Sequence, residues 1–408
     1  MKYSHISVAI PMLAELENLP ALLHNLTKQT FKDYDLYFCI NNPASWATTD
    51  RHEEYSMYEN NMETLCLLEK EKKRLGLQMT IMNCQWQGKQ QGVGWARKAL
   101  FEEIARCRGE NELVVSLDAD TSFDYNYFDS LLDTFNDNPN CCAMAVPYYH
   151  RIIDNDRHNR AMLRYEIYMR HYLINLLEIA AKIKICTKNT PFPYSFTALG
   201  SAIVFPLWAY RRVGGITPLQ GGEDFYLMQK YAKTGRIMLH CNGSKVYPSA
   251  RPSNRVPFGT GPAIAKGIEI MDDIYPLYPY EGFDAIAETY SMFPHLFYED
   301  IETPMSQFLH EQLKTDNLWG PIRKNFKTMD LFVHSCQERV DGLRILQFLK
   351  TFPRRSAEKE LSIFCRKRNI HIDPSIDFKA TPIDILDSVR NLIVAHELEL
   401  RRIHDSRS

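Results

Sequence analysis

Leu113-Val114-Val115-Ser116-Leu117-Asp118-Ala119-Asp120-Thr121-Ser122 is the stretch on which the fold turns. A short, mostly apolar run followed at once by carboxylates predicts a buried strand that ends at an open sheet edge. In open α/β sheets, ligands bind just beyond the carboxyl ends of strands. Two carboxylates one residue apart can hold a hard divalent cation through oxygen, and they are also ordinary turn chemistry. The neighbouring sequence has to separate the two.

Upstream, residues 6–10 predict a first strand. Leu19, Leu22, Leu23 and Leu26 then recur at helical spacing, with Asn18 as the expected N-cap and Pro20 in the first turn. Residues 35–40 predict a second strand, which runs into Asn41-Asn42-Pro43. A charged helix over about 53–75 leads to a third strand at 79–82, and the glycine-bearing stretch from Gly88 to Arg97 opens a helix reaching about Ala105. Downstream, Leu131, Leu132 and Phe135 mark a helix that stops before Pro139. Residues 142–146 and 201–205 predict strands, 159–185 an inserted helix, and 206–213 a short helix. Gly221-Gly222-Glu223-Asp224 opens a helix closed by Gly235, and strand-like pieces follow at 237–239 and 245–247. Alternating strands and helices predict a largely parallel sheet covered on both faces.

Beyond Gly261 strand runs cease, and helical periodicity dominates through 331–349, 383–393 and 394–403. The expected organisation is an α/β domain over 1–260 and a mainly helical domain over 261–408. A chain of 408 residues exceeds one typical domain. Hydrophobic content of 45% and charged content of 24% are ordinary for a soluble globular protein. The formal net charge of −2 gives no global attraction to nucleic acid or to an anionic membrane. Ten cysteines lie scattered without a CxxC pair, the first strand begins without a signal-peptide layout, and no stretch reaches the length of a membrane span. The expectation is a cytoplasmic protein without nucleic-acid partners.

Taken together and in order, Val8 to Asn41, Gly88 to Arg97, Asp118 to Asp120, Leu199 to Gly215 and Gly222 to Asp224 resemble the motif set of the family 2 glycosyltransferases, which have a GT-A fold. The resemblance covers the first domain and leaves the helical part unassigned. It implies a nucleoside-diphosphate sugar as donor and transfer of the sugar to a hydroxyl acceptor, whether glycan, lipid-linked or small molecule. Pro11 and Glu15 would lie where base and ribose begin to bind. Asn41 and Asn42 stand where the family has an acidic pair, so amides replace charge there. Gly92 and Arg97 match the glycine-rich stretch whose basic residue faces the diphosphate. Asp118 and Asp120 match the DxD motif, which binds the diphosphate through Mn²⁺ or Mg²⁺; Asp120 is the direct ligand by analogy, with Asp118 reaching ribose or a metal-bound water.

The resemblance also places Gly200 in the donor-sugar pocket. Glu223 and Asp224 match the family's acidic pair, with Asp224 as the base that deprotonates the acceptor hydroxyl, implying inversion. Arg251 and Arg255 lie in a loop able to fold over the phosphates. Some relatives carry a His as third metal ligand; residues 246–249 lack one, and His240 is the nearest substitute. Short basic pairs such as Arg323-Lys324 and Arg354-Arg355 leave the helical part three roles: shaping an acceptor site, joining subunits into a homo-oligomer, or resting peripherally on a membrane.

No GxxxxGK[ST] or HExxH motif occurs, and Arg97 stands where a dinucleotide fingerprint needs a third glycine. Two alternatives remain at this point. One is a catalytically inactive GT-A-fold protein that binds a sugar nucleotide or a partner. The other is a haloacid-dehalogenase-like phosphatase with Asp118 as nucleophile and Asp120 as general acid, a family in which the motif follows the first core strand rather than the fourth.

Overall fold

A computed structural model describes residues 2–88, 90–186, 190–253, 259–270, 275 and 277–406, with residues 184–186 described by backbone alone. Arg255 lies outside the described residues. The chain forms two compact units: residues 1–152 with 198–265, and residues 153–197 with 266–408. Set beside the expected division at 260/261, the second unit also takes the long helix inserted into the first.

In chain order the elements that build the first unit are β1 (Ile6–Met12), α1 (Leu19–Thr27), β2 (Tyr34–Pro43), α2 (His52–Leu75), β3 (Met79–Trp86), α3 (Val93–Cys107), β4 (Leu113–Ser116), β5 (Ser122–Phe123), α4 (Tyr127–Asp137) and β6 (Ala143–Ala145). After the inserted α5 (Asp156–Cys186) come β7 (Ile203–Pro206), α6 (Leu207–Arg212), α7 (Glu223–Thr234), β8 (Ile237–Met238) and β9 (Val246–Tyr247). The main sheet has seven strands in the order β3-β2-β1-β4-β7-β6-β8. β1 pairs in parallel with both β2 and β4, and β7 alone runs opposite to its two neighbours. The result is a mostly parallel sheet flanked by helices, an α/β architecture.

β4 lies between β1 and β7, and Leu113, Val114 and Val115 are fully buried. A central strand covered on both faces must be apolar on both, which is why its sequence does not alternate. β2 and β3 run longer than their apolar cores suggest, because parallel pairing continues through Asn41↔Cys84 and Asn42↔Gln85 to Pro43↔Trp86. Asn18 stands at the N-cap of α1 as expected, but its side chain makes no cap hydrogen bond and instead donates to Glu15 Oε2 at 2.6 Å.

The second unit contains no strand among its described residues. Its helices include α8 (Thr260–Ile270, which begins in the first unit), α9 (Tyr280–Leu296), α10 (Ser306–Leu313), α11 (Gly320–Asn325), α12 (Met329–Arg339), α13 (Gly342–Leu349), α14 (Ala357–Lys367) and α15 (Ile383–Ser406). The 331–349 periodicity is split at Asp341, whose carboxylate accepts from Arg344 N and caps α13. The two stretches read as 383–393 and 394–403 form one helix. α15 and α5 run side by side in the same direction, residue 166 meeting 390 and residue 170 meeting 397.

Candidate functional site

β1, β2 and β3 succeed one another on one side of β1, and β4 lies on the other, so the strand order reverses between β1 and β4. That reversal leaves a crevice beyond the carboxyl ends of the two strands, the usual place for a ligand in an open α/β sheet. Three residues past β1 comes Glu15; two and four past β4 come Asp118 and Asp120. These acids, with Glu223 and Asp224 from the first turn of α7, form one connected cluster with Arg97 and Arg251.

Arg97 is the hub. Its guanidinium pairs with Asp118 Oδ1 at 2.5 Å and with Glu223 Oε1, while Nε donates to Ser116 Oγ at 3.3 Å. The Arg97 and Glu223 side chains are 6% and 2% exposed, whereas Asp118 is 38% exposed. Two glycines make the arrangement possible. A Cβ on Gly94 would sit 2.2 Å from Leu219 O, so only glycine lets the start of α3 approach the segment leading into α7. A Cβ on Gly200 would lie 2.2 Å from Arg97 Nη2, and Gly200 O accepts from Ser116 Oγ at 2.7 Å. Gly92 sits before α3 as its N-cap with φ +97. The expectation for Arg97 is therefore corrected. Rather than face outward, it turns inward, where the buried Glu223 and the partly exposed Asp118 compensate its lost hydration.

Arg251 joins the other pair. Its Nε lies 3.1 Å from Asp120 Oδ2, and Nη2 donates to Glu15 Oε1. Burial works against the charge of both arginines, but the facing carboxylates prevail and raise the pKa of each above the ordinary value. Burial also raises the pKa of Glu223 and of Asp224, against the pull of Arg97. Asp224 Oδ1 accepts from Phe225 N at 2.7 Å. A carboxylate made more basic by desolvation and held by a helix start is equipped to take a proton.

The third-ligand expectation for His240 is corrected. His240 follows β8, which stands three strands from β4, roughly 14 Å at the usual strand spacing. Among the described residues, no three His, Cys, Asp or Glu side chains converge in a way that could hold a metal ion. The acids at the strand ends nonetheless suit a cation chemically. Glu15, Asp118 and Asp120 are carboxylates whose oxygens are hard donors, with Glu223 and Asp224 beside them at the start of α7.

At the adjacent strand ends, Pro11 pairs with Cys39 within the β1–β2 ladder. Asn42 is committed internally: Nδ2 donates to Asn83 Oδ1 at 3.1 Å, and Oδ1 accepts from Asn61 at 2.6 Å. Asn41 is different. It is buried, and its Oδ1 has no partner among the described residues; nor has the indole N–H of Trp86 at the end of β3, whose ring packs against Trp95. A buried acceptor without a donor is costly and calls for one from a ligand or water. Asn61 also accepts from Ala14 N at 2.8 Å, tying the end of β2 to the loop after β1. Its importance was not read from the sequence, although the spacing Asn61, Thr64, Leu68 marks the buried face of α2.

No protein-family model matches the chain, and no curated protein matches it. Several solved structures are similar to it at low identity. The chain covers 92% of S. aureus TarS 1–349 in complex with UDP-GlcNAc over 100% of its own length, at 12% identity and TM-score 0.40. It covers 86% of the mannosyltransferase PcManGT from Pyrobaculum calidifontis in complex with GDP-Man and Mn²⁺ over 97% of its length, at 14% identity and TM-score 0.34. It covers 57% of GalNAc-T7 with UDP, GalNAc and Mn²⁺ over 82% of its length, at 13% identity and TM-score 0.38. Likenesses this distant carry no argument about what the chain binds, and the site's own chemistry has to do so.

Proposed function

We propose that the first unit is a GT-A-type domain of a glycosyltransferase, which binds a nucleoside-diphosphate sugar in the crevice between β1 and β4 and transfers the sugar to a hydroxyl acceptor. One observation carries the reading: a carboxylate made more basic by burial, Asp224, stands in the same charged cluster as the acids that end β4, at the switch point of the sheet. That is the pairing of leaving-group end and base that direct displacement at a sugar carbon requires.

In this reading Asp224 takes the proton of the acceptor hydroxyl as its oxygen attacks the anomeric carbon, which inverts the configuration. Arg97 holds Asp118 and Glu223 in place and moderates the basicity of Asp224. Asn41 offers its amide oxygen to an N–H donor on the nucleotide. Asp120 and Asp118 would hold Mn²⁺ or Mg²⁺, which when bound would neutralise negative charge on the departing diphosphate. Arg251 sits within reach of the same place. The basic pairs of the helical unit are poor membrane anchors, since Arg323 pairs with Asp300 and Arg355 with Glu281 and Glu360. Among the described residues no helix is long and apolar enough to cross a membrane. Scattered cysteines support a cytoplasmic setting.

The test is a panel of nucleotide sugars with Mn²⁺, read by thermal shift and by donor hydrolysis. A bound ligand at about 100 times its dissociation constant adds roughly 2.7 kcal/mol. At least one nucleotide sugar is expected to stabilise the protein and to be slowly hydrolysed. Asp224→Asn is expected to lower turnover by about 10²–10⁴-fold while leaving nucleotide binding nearly intact. Absence of binding by every nucleotide, with and without metal, overturns the proposal.

A further inference from the structure

Arg251 stands where a cation would stand. Its guanidinium bridges Glu15, beyond β1, and Asp120, beyond β4, spanning the mouth of the crevice. Glu15 is almost wholly buried and Asp120 is 16% exposed, while the Arg251 side chain is 33% exposed and belongs to the segment after β9. The arginine is thus the most exposed member of the trio.

We infer that Arg251 is a built-in competitor for the divalent cation, released by the diphosphate of the donor. The inference rests on the glycosyltransferase reading and deepens it. A guanidinium and a divalent cation repel each other, so each weakens the other's hold on Asp120. In the ligand-free protein the arginine satisfies Glu15 and Asp120 and lowers the affinity of Asp120 for metal. A diphosphate supplies a second set of oxygens in the geometry a guanidinium fork prefers. Arg251 leaves Asp120 for those oxygens, and the acid becomes available. Metal and nucleotide then bind cooperatively, each raising the affinity for the other by the same factor. Arg251 is a positioning residue in this scheme, and the coupling keeps the ligand-free site from filling with metal alone.

The experiment is a Mn²⁺ titration of the full chain followed by electron paramagnetic resonance of the free ion, with Mn²⁺ alone and then with UDP or GDP present. The unmodified protein is expected to bind Mn²⁺ weakly alone and more tightly with one of the two nucleotides. Arg251→Gln is expected to bind Mn²⁺ alone at least about 5-fold more tightly, the lower end of ordinary coupling between sites, and to lose most of the nucleotide enhancement. Arg251→Lys, which keeps the charge without the fork, is expected to fall between. If Arg251→Gln binds Mn²⁺ alone no better than the unmodified protein, the competitor is refuted, and a loss of nucleotide affinity only would reduce Arg251 to a phosphate contact. If neither binds, the titration is repeated with the other nucleoside diphosphates, and absence of binding by all of them with Mn²⁺ means that it is the glycosyltransferase reading that fails.

Discussion

Each unit holds a buried knot of arginines and carboxylates, and the two differ in how their charges close. In the second unit Arg170, Arg390 and Arg401, all but inaccessible, meet Glu166 and Glu397 along the seam of α5 and α15, with Asp387 at the rim. Among the described contacts three guanidiniums face three carboxylates there, as in Arg170 Nη1 to Glu397 Oε2 at 2.6 Å and Arg390 Nη1 to Glu166 Oε2 at 2.8 Å. In the first unit the two described guanidiniums, Arg97 and Arg251, meet Glu15, Asp118, Asp120 and Glu223, and Asp118 and Asp120 reach solvent. A balanced, closed knot fixes which face of α5 meets which face of α15. An open one, with acids that reach solvent, is accessible to a ligand that brings positive charge.

The sharpest way to break the comparison is to remove one guanidinium from each knot. Arg390→Met and Arg97→Met each leave buried carboxylates short of their partner, and each is expected to cost about 3–5 kcal/mol in urea unfolding. The knots should part company when the acids are neutralised as well. Replacing Arg170, Arg390 and Arg401 with Met and Glu166 and Glu397 with Leu is expected to recover most of the seam's loss, because a dry apolar seam needs no charge and Asp387 at the rim is 26% exposed. Arg97→Met combined with Glu223→Gln should recover stability only partly, since Asp118 keeps its charge, and should leave nucleotide binding lost. Full recovery of binding in that double variant would show that the first knot is as purely structural as the second.

A smaller effect separates the units by pH. His171, on α5, is 1% exposed and packs on the rings of Phe364 at 4.8 Å and Phe283 at 5.8 Å. Burial, and then the nearby Arg368, lower its pKa from 6.5 to about 3. A histidine depressed in this way is neutral in the fold and protonated in the unfolded chain. Its presence therefore erodes stability as pH falls below 6.5, and the erosion continues until pH nears 3. Between pH 7 and pH 5 the loss is about 2 kcal/mol at 1.36 kcal/mol per pH unit below 6.5. Comparing urea midpoints at the two pH values for the unmodified chain and for His171→Phe checks it, since only the variant should lack this component.

Much of the first unit was legible because local pattern and global fold agree there. The unbroken apolar run of β4, the Gly221-Gly222 start of α7 and the Gly235 stop each show through the residues themselves. The acids at the end of β4 and at the start of α7 were legible as candidates for the same reason. Their partners were not, because ion pairing is long-range: Arg97 lies 126 residues from Glu223 and Arg251 lies 236 from Glu15. Nothing at Arg97 itself distinguishes an outward phosphate contact from an inward brace; that is decided by Gly200, whose missing side chain opens the space. His240 misled because proximity in sequence to the α7 helix says nothing about distance across a sheet, and the strand that carries it lies at the edge.

The finest difference lies between two adjacent amides, Asn41 and Asn42, which sequence alone presents as equivalent. Asn42 is spent on Asn61 and Asn83. Asn42→Ala leaves Nδ2 of the fully buried Asn61 with only its longer contact to Asn41 O at 3.5 Å, and is expected to cost about 1 kcal/mol of stability. Its effect on nucleotide affinity should be slight. Asn41→Ala should do the reverse. It removes a buried acceptor that has no donor in the described structure, so stability is expected to hold or rise slightly. Nucleotide affinity should fall by roughly 0.5–1.5 kcal/mol, the net worth of one hydrogen bond. Urea unfolding and calorimetric titration with the nucleotide found by the panel read both quantities. If both variants lose stability equally and neither loses affinity, the end of β2 is scaffold throughout, and recognition of the base must come from β3 or the loop after β1.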